Sequence, residues 1–375
     1  MSKGGLMIVA GGTGGHVFPA LAVAKELQGK GVVVRWMGTK RGLESRVVPA
    51  ADIPIDWITI EGLRGKGRLS LFLAPFKLVR AMWQAGRLIV RHKPDLVLGM
   101  GGFVAGPGGI TARLLGRPLV IHEQNAVAGL TNCYLAKVAS SVLTGFPDVE
   151  GLPKSSVWVG NPVRESIGTT NSTASSSSNS NNASELRVLV IGGSQGAHSF
   201  NTLLPSLFAK LATQLNSDKR ISLDVWHQSG RKRDIQVKEA YAANSADTSS
   251  KDFSFKVSEF IEDMAQALHW ADVVVCRAGA MTIAELCAAA KPSVLVPYPF
   301  SAGDHQDKNA DFLVKAGAAR LLSNKQLDSD QLLNVFMELT QAPETFKQMA
   351  NNAHKLHKPN ALQDVVAVCE EYIHA

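Results

Sequence analysis

The sequence predicts an α/β protein of two doubly wound domains, each a parallel sheet with helices on both faces. Three observations predict it. Short apolar runs, Leu6–Ala10 and Leu186–Ile191 first among them, have the length and branching of strands buried on both faces. Each of these two runs ends in a glycine turn, Gly11–Gly15 and Gly192–Gly196, that opens a helical pattern. The alternation stops at Gly160-Asn161-Pro162, passes a Ser/Asn-rich stretch from Gly168 to Ser184, and restarts. A chain of 375 residues, 45% hydrophobic and 19% charged, suits two folded cores better than one.

After the first glycine turn a helix is expected from Val17 to Gln28, with Gly29 and Gly31 as stop signals. Strand, turn and helix aim backbone N–H groups and a positive dipole end at one crevice, with His16 at the helix entrance. Taken alone, the stretch equally fits a phosphate loop whose histidine caps a helix. Val32–Met37 is the second strand. A dinucleotide-binding unit wants an acidic residue near its end, and the chain offers Gly38, Thr39 and Lys40. Val17 also stands where G-x-G-x-x-G, counted from Gly12, needs its last glycine. A redox enzyme is thereby disfavoured.

Asp56–Ile60 reads as the third strand. From Gly62 to Pro94 there is no Asp or Glu, and basic residues such as Lys77 and Arg80 alternate with Leu71, Phe72, Phe76, Val79 and Trp83. Such a helix suits an anionic bilayer surface. It equally suits a crossover helix with solvated charges. Asp95–Gly99 is a strand ending in a second glycine-rich turn, with Gly101 and Gly102, before a helix to about Leu115. Pro118–His122 is a strand ending in the polar cluster His122-Glu123-Gln124-Asn125. Ala128–Ala139 reads as helix, and Ser141–Thr144 and Val157–Val159 as short strands.

In the second half, Ala197–Leu215 and Arg231–Ala243 read as helices, and Ile221–His227 and Phe253–Val257 as strands. A short helix opens at Glu259–Met264. Asp272–Cys276 is a strand leading through a small-residue turn into a helix that carries Glu285. Ser293–Pro297 precedes the polar loop Ser301–Ala310, and the last helix runs from about Asn360 to Ile373.

The net charge of +7 divides into +10 over residues 1–165 and −3 over the remainder. The first half therefore favours an anionic partner. No nucleic-acid motif accompanies the charge, so nucleic acid is not expected. Cys133, Cys276, Cys287 and Cys369 lack metal-ligand spacing and read as reduced core thiols of a cytosolic protein. No signal peptide is expected at the N-terminus, and no run approaches the ~20 apolar residues of a membrane span. Asp328-Ser329-Asp330, the one D-x-D, reads as a helix cap, so no metal site and no cofactor are expected.

Assembled in order, these stretches resemble the MurG family over nearly the whole chain. The matching motifs are G-G-T-G-G-H-V-F-P-A from Gly11, G-G-F-V-A-G-P-G-G from Gly101, H-E-Q-N from His122 and G-N-P-V-R from Gly160. G-G-S-Q-G-A from Gly192, C-R-A-G-A-M-T-I-A-E from Cys276 and D-H-Q-D-K-N-A from Asp304 complete the set. The resemblance implies a GT-B fold and an inverting glycosyltransferase of peptidoglycan synthesis. Such an enzyme moves N-acetylglucosamine from UDP-N-acetylglucosamine to lipid I, making lipid II, on the cytoplasmic face of the inner membrane as a peripheral protein. It implies roles in cell shape and division, and cell-wall or division proteins as further partners. Residues 1–163 would hold lipid I and lean on the membrane, 164–185 would link, and 186–358 would hold the nucleotide sugar. Residues 359–375 would pack back on the first domain.

By matching position, the resemblance makes Thr13, Gly14, Gly15, Asn125, Arg164, Ser194, Ile261, Ala280, Met281, Thr282, Ile283, Ala284, Glu285 and Gln306 donor contacts. Glu285 would accept the ribose hydroxyls and Ile261 would receive the uracil through its backbone. Gly101 and Gly102 would serve acceptor or diphosphate loops. His16 would be the general base, because imidazole titrates near neutrality; positioning of a diphosphate is the other role open to it. Another GT-B enzyme, such as a UDP-sugar epimerase or a different UDP-sugar transferase, and a non-catalytic binding module remain the competing readings. The Gly168–Ser184 stretch matches no family motif.

Overall fold

In the computed structural model, which describes residues 4–62, 73–168, 184–193, 197–219, 221–245, 252–323 and 329–374, the apolar runs form two separate parallel sheets. The chain divides into one unit of residues 1–163 with 358–375 and a second of residues 164–357. The seven strands of the first unit are β1 (Gly5–Ala10), β2 (Val33–Gly38), β3 (Ile55–Trp57), β4 (Leu96–Gly101), β5 (Leu119–Glu123), β6 (Ser141–Thr144) and β7 (Val157–Trp158). They lie in the order β3-β2-β1-β4-β5-β6-β7, so the winding reverses between β1 and β4. Strand β1 explains the two-sided burial of that sheet. Leu6, Ile8 and Ala10 enter one core layer with Val365, Val366 and Cys369 of the C-terminal helix Ala361–Ile373, while Met7 and Val9 enter the opposite layer with Ala81, Ala85 and Ile89.

The helices of this unit are α1 (Gly14–Gly29), α2 (Glu44–Val47), α3 (Ala74–His92), α4 (Ala105–Leu114) and α5 (Leu130–Leu135). Helix α1 begins at Gly14 instead of Val17. The Thr13 carbonyl accepts from the backbone N–H groups of His16 and Val17, both at 3.2 Å, which closes the first turn over the glycines. His16 is thus the third helical residue. Strand β3 stops at Trp57 because the Thr59 N–H turns to the Gln84 side chain (2.7 Å). Helix α5 starts later than expected, since the N–H groups of Ala128 and Gly129 go to Glu150 O and to the Glu123 carboxylate. Leu71 and Phe72 lie outside the described residues.

The second unit starts at Arg164 and opens with α6 (Glu165–Gly168). Its strands are β8 (Ser184–Ile191), β9 (Ile221–Gln228), β10 (Phe253–Ser258), β11 (Val273–Cys276), β12 (Ser293–Leu295) and β13 (Ala319–Leu321). Their order is β10-β9-β8-β11-β12-β13, with the reversal between β8 and β11. The helices are α7 (His198–Lys219), α8 (Asp234–Asn244), α9 (Met264–Trp270), α10 (Ala280–Ala288), α11 (His305–Lys315), α12 (Ser329–Gln341) and α13 (Pro343–Lys355). Helix α8 begins after Arg231 because Lys232 is left-handed (φ +59°). Helix α9 begins at Met264, where the Asp263 side chain accepts from Gln266 N (2.9 Å) as an N-cap. Residues 169–183, expected as a linker, and Asp328 lie outside the described residues. The cysteines are free thiols; Cys276, Cys287 and Cys369 are buried, whereas Cys133 is half-buried. Among the described residues no helix is long and apolar enough to cross a membrane.

Candidate functional site

In an open α/β sheet the ligand crevice lies at the carboxyl ends of the strands, where the strand order reverses. In the first unit that places it between the loops after β1 and β4. Gly101 (φ +97°) and Gly102 (φ +82°) bring these loops together. A Cβ on Gly102 would lie 2.2 Å from the Gly11 carbonyl oxygen, and one on Gly101 would lie 2.6 Å from His16 Nδ1. The close approach of backbone and ring therefore depends on glycine at both positions. The Trp36 indole N–H anchors the end of β1 by donating to the Ala10 carbonyl (2.8 Å). Glu44, fully buried, accepts from Gly12 N (2.9 Å), Thr39 N (3.0 Å) and Thr39 Oγ1 (2.7 Å). Its carboxylate ties the loops after β1 and β2, a role no local sequence signal announces.

His16 lies half-buried in this crevice with Nδ1 2.7 Å from Gln124 Oε1. Gln124 Nε2 is 3.0 Å from His122 Nδ1, and His122 Nε2 is 2.9 Å from the Gly160 carbonyl oxygen. Burial pushes the His122 imidazole down to about 4, so it is neutral near pH 7. The neighbouring Glu123 carboxylate accepts from Asn125 N (3.0 Å), Asn125 Nδ2 (3.1 Å), Gly129 N (3.1 Å) and Asn132 Nδ2 (2.8 Å). It shapes the loop that presents Asn125. Thr13, Gly14 and Gly15 sit at the start of α1, whose N-terminus no side chain caps. His16 and the cluster His122-Glu123-Gln124-Asn125 were expected at strand ends here; the buried Glu44 and the contacts that join His16, Gln124 and His122 were not.

In the second unit the corresponding crevice lies between the loops after β8 and β11. Ser194 falls outside the described residues; Gly193 before it has φ +83°. Helix α10 begins after Gly279 without a side-chain cap, which leaves an electropositive end for an anion. Of the six positions Ala280 to Glu285, Ala280 and Ile283 are buried in the core, so what they offer a ligand is backbone. Met281, Thr282, Ala284 and Glu285 are half-buried. Burial raises the Glu285 carboxyl from 4.5 to about 7, while Arg164, exposed in the same unit, pulls it down. The Ile261 side chain is buried beside exposed Phe260. Gln306 Oε1 accepts from Tyr298 N (2.9 Å), which fixes the loop after β12.

Arg277, absent from the expected donor contacts, packs its guanidinium on the Phe200 ring (4.6 Å). It donates to the Val296 and Pro297 carbonyls (2.9 and 3.1 Å) and to Ser199 Oγ (2.9 Å). All three acceptors are neutral, so they leave its charge available to the loops around it.

Helix α3 has two apolar stripes. Ala81, Ala85 and Ile89 face the core, and Phe76, Val79, Trp83 and Val90 repeat on the exposed side. Lys77, Arg80 and Arg87 share that exposed side, with Arg87 over the Trp83 ring (4.9 Å). Leu114, Tyr134 and Val138, with Arg113 and Lys137, line a further shallow hollow on α4 and α5.

Two family patterns match the chain: "Glycosyltransferase family 28 N-terminal domain" over residues 6–144 and "Glycosyltransferase family 28 C-terminal domain" over residues 187–365. A Chromohalobacter salexigens protein is 46% identical over 98% of this chain and 96% of its own. A Pseudomonas fluorescens protein is 45% identical over 98% and 99%. Both carry the name UDP-N-acetylglucosamine–N-acetylmuramyl-(pentapeptide) pyrophosphoryl-undecaprenol N-acetylglucosamine transferase. The crystal structure of Acinetobacter baumannii MurG is 37% identical, covers 98% of this chain and 99% of its own, and superposes with a TM-score of 0.78.

Proposed function

The chain belongs to glycosyltransferase family 28, and we propose that it moves N-acetylglucosamine from UDP-N-acetylglucosamine to the muramyl sugar of an undecaprenyl-diphosphate acceptor. This is the reaction its relatives are named for. The observation that carries the chemistry is the His16 ring, held by Gln124 at the reversal point of the first sheet.

The reaction is read as a single displacement. The acceptor hydroxyl attacks the anomeric carbon, the bond from that carbon to the diphosphate oxygen breaks, and UDP departs. His16 takes the hydroxyl proton, work worth ~10²–10⁴-fold in rate for a well-placed base. The first unit holds the acceptor and the second the nucleotide sugar. Glu285 accepts the ribose hydroxyls, Ile261 meets the uracil through its backbone, and Gln306 lies near the sugar. The uncapped start of α10, Gly192, Gly193 and Arg164 stabilise the negative charge that grows on the leaving diphosphate, and Ser194 is a further donor contact by family match. Thr13, Gly14, Gly15 and Asn125 complete the donor contacts, and Gly101 and Gly102 line the acceptor side.

The exposed stripe of α3 docks on the cytoplasmic leaflet, where the lipid-linked acceptor resides. Its apolar side chains enter the headgroup boundary and its basic residues meet anionic lipid. Vesicle cosedimentation checks this: binding is expected to grow with anionic lipid, weaken with salt, and fall sharply in Phe76→Ser/Trp83→Ser. Binding unchanged in that double variant would remove α3 from the interface.

Transfer itself is tested with purified chain, UDP-N-acetylglucosamine and a polyprenyl-diphosphate muramyl-peptide acceptor. UDP release is expected only when the acceptor is present. Turnover of the nucleotide sugar at the same rate without acceptor would indicate a different UDP-sugar enzyme.

A further inference from the structure

We propose that Gln124 is a positioning residue that selects the tautomer of His16, keeping hydrogen on Nδ1 and leaving the Nε2 lone pair for the acceptor hydroxyl. The proposal rests on the reading of His16 as the base. The hydrogen-bond chain ends at the Gly160 backbone, 38 residues from His122, at a group with no choice of role. The Gly160 carbonyl can only accept, so the His122 nitrogen 2.9 Å from it, Nε2, must carry a hydrogen. His122 is fully buried and neutral, so its Nδ1 holds a lone pair.

That lone pair faces the Gln124 side chain at 3.0 Å, and the same amide nitrogen lies 3.2 Å from the His122 carbonyl oxygen. Two acceptors at one end of the amide require its NH₂ there. Turning the amide over would set Oε1 against both of them and leave the buried His122 Nδ1 without a donor, while the His122 carbonyl would keep only Asn132 Nδ2 at 3.4 Å. Oε1 therefore points to His16, and His16 Nδ1, 2.7 Å away, must donate. Asn161 Nδ2, donating to the Gln124 carbonyl (3.0 Å), holds the backbone of the relay.

The consequence is chemical. An imidazole in water favours hydrogen on Nε2, which would leave its lone pair on the nitrogen facing Gln124. The relay reverses that preference before substrate arrives. When Nε2 takes the acceptor's proton, the Nδ1–H bond to Gln124 persists, so no group has to reorient during the step.

The test is ¹⁵N-histidine NMR of the full chain above the imidazole titration range, with the His16 signals assigned by their loss in His16→Ala. Wild type is expected to show a pyrrole-like Nδ1 and a pyridine-like Nε2 at His16. Gln124→Leu is expected to return His16 to the Nε2–H form. It should lower kcat at least about tenfold and leave donor KM within about twofold. Gln124→Glu keeps an acceptor for Nδ1–H, and is expected to retain the wild-type tautomer and recover more kcat than the leucine variant. Hydrogen on Nε2 in wild type overturns the proposal without any variant. So does unchanged kcat in Gln124→Leu when His16→Ala has lost activity. Unchanged kcat in His16→Ala instead removes the base reading, and the proposal falls with it.

Discussion

Replacing Gly101 with alanine isolates the contribution of His16 placement. The added methyl would lie 2.6 Å from His16 Nδ1 and 2.8 Å from Cε1, far inside van der Waals contact. Gly12 supplies the control. Its φ of +94° nearly equals the +97° of Gly101, yet a Cβ there meets nothing within 4 Å. Both alanines carry backbone strain of about 1–2 kcal/mol, which for units of this size lowers Tm by roughly 2–8 °C. Only Gly101→Ala also displaces the imidazole and breaks its 2.7 Å contact with Gln124. A misplaced base forfeits ~10²–10⁴-fold, or about 3–5 kcal/mol of barrier. Steady-state kcat at saturating donor and acceptor, with Tm by circular dichroism, separates the two effects. The expected result is a similar Tm loss in both variants, kcat within about threefold of wild type for Gly12→Ala, and a fall of at least ~100-fold for Gly101→Ala. Equal kcat in the two variants would show that catalysis does not depend on the imidazole position that Gly101 permits.

Further outcomes follow from the buried titrating groups. The proposed ribose contact is stronger to an ionised carboxylate than to a neutral one, and burial holds Glu285 at about 7. Donor KM is therefore expected to rise as pH falls below about 7, by up to about tenfold per unit, and Glu285→Gln should flatten the profile; a wild-type KM flat from about pH 6 to 8 contradicts this. Burial lowers His122 to about 4 and His227 to about 3, so the folded chain refuses protons that the unfolded chain takes near 6.5. That stability is present above 6.5 and is lost as pH falls through the folded values, by up to a few kcal/mol for each histidine. Glu285 acts in the opposite sense, since its folded carboxyl is raised and its contribution is lost as pH rises toward 7. Urea midpoints at pH 5 and 7 should show lower stability at pH 5, with a wider gap in Glu285→Gln.

The two sheets were legible because parallel strands buried on both faces are unbroken apolar runs. Leu6–Ala10 and Leu186–Ile191 could hardly be anything else, and the glycine turns after them marked the crevices. Boundaries set by one residue's backbone were not legible: the carbonyl of Thr13 draws the start of α1 back to Gly14, and a left-handed Lys232 delays α8. The site was legible in part. His16 stood out as a titratable group at a helix start, and His122–Asn125 as a polar cluster at a strand end, with no distinct role for Gln124. Its role emerges only when His122 reaches the carbonyl of Gly160, a partner without a side chain and 38 positions away. Glu44 was hidden for the same reason, since its partners are the backbone of Gly12 and the backbone and hydroxyl of Thr39. The outward stripe of α3 was visible as composition, but separating it from the inward Ala81, Ala85 and Ile89 required the packing.

The proposed reaction is a direct displacement at the anomeric carbon by an acceptor hydroxyl that His16 deprotonates. The configuration of the new glycosidic bond, read from the anomeric proton coupling of the purified product, tests it most directly. A configuration opposite to that in UDP-N-acetylglucosamine is the predicted result. A retained configuration would contradict it.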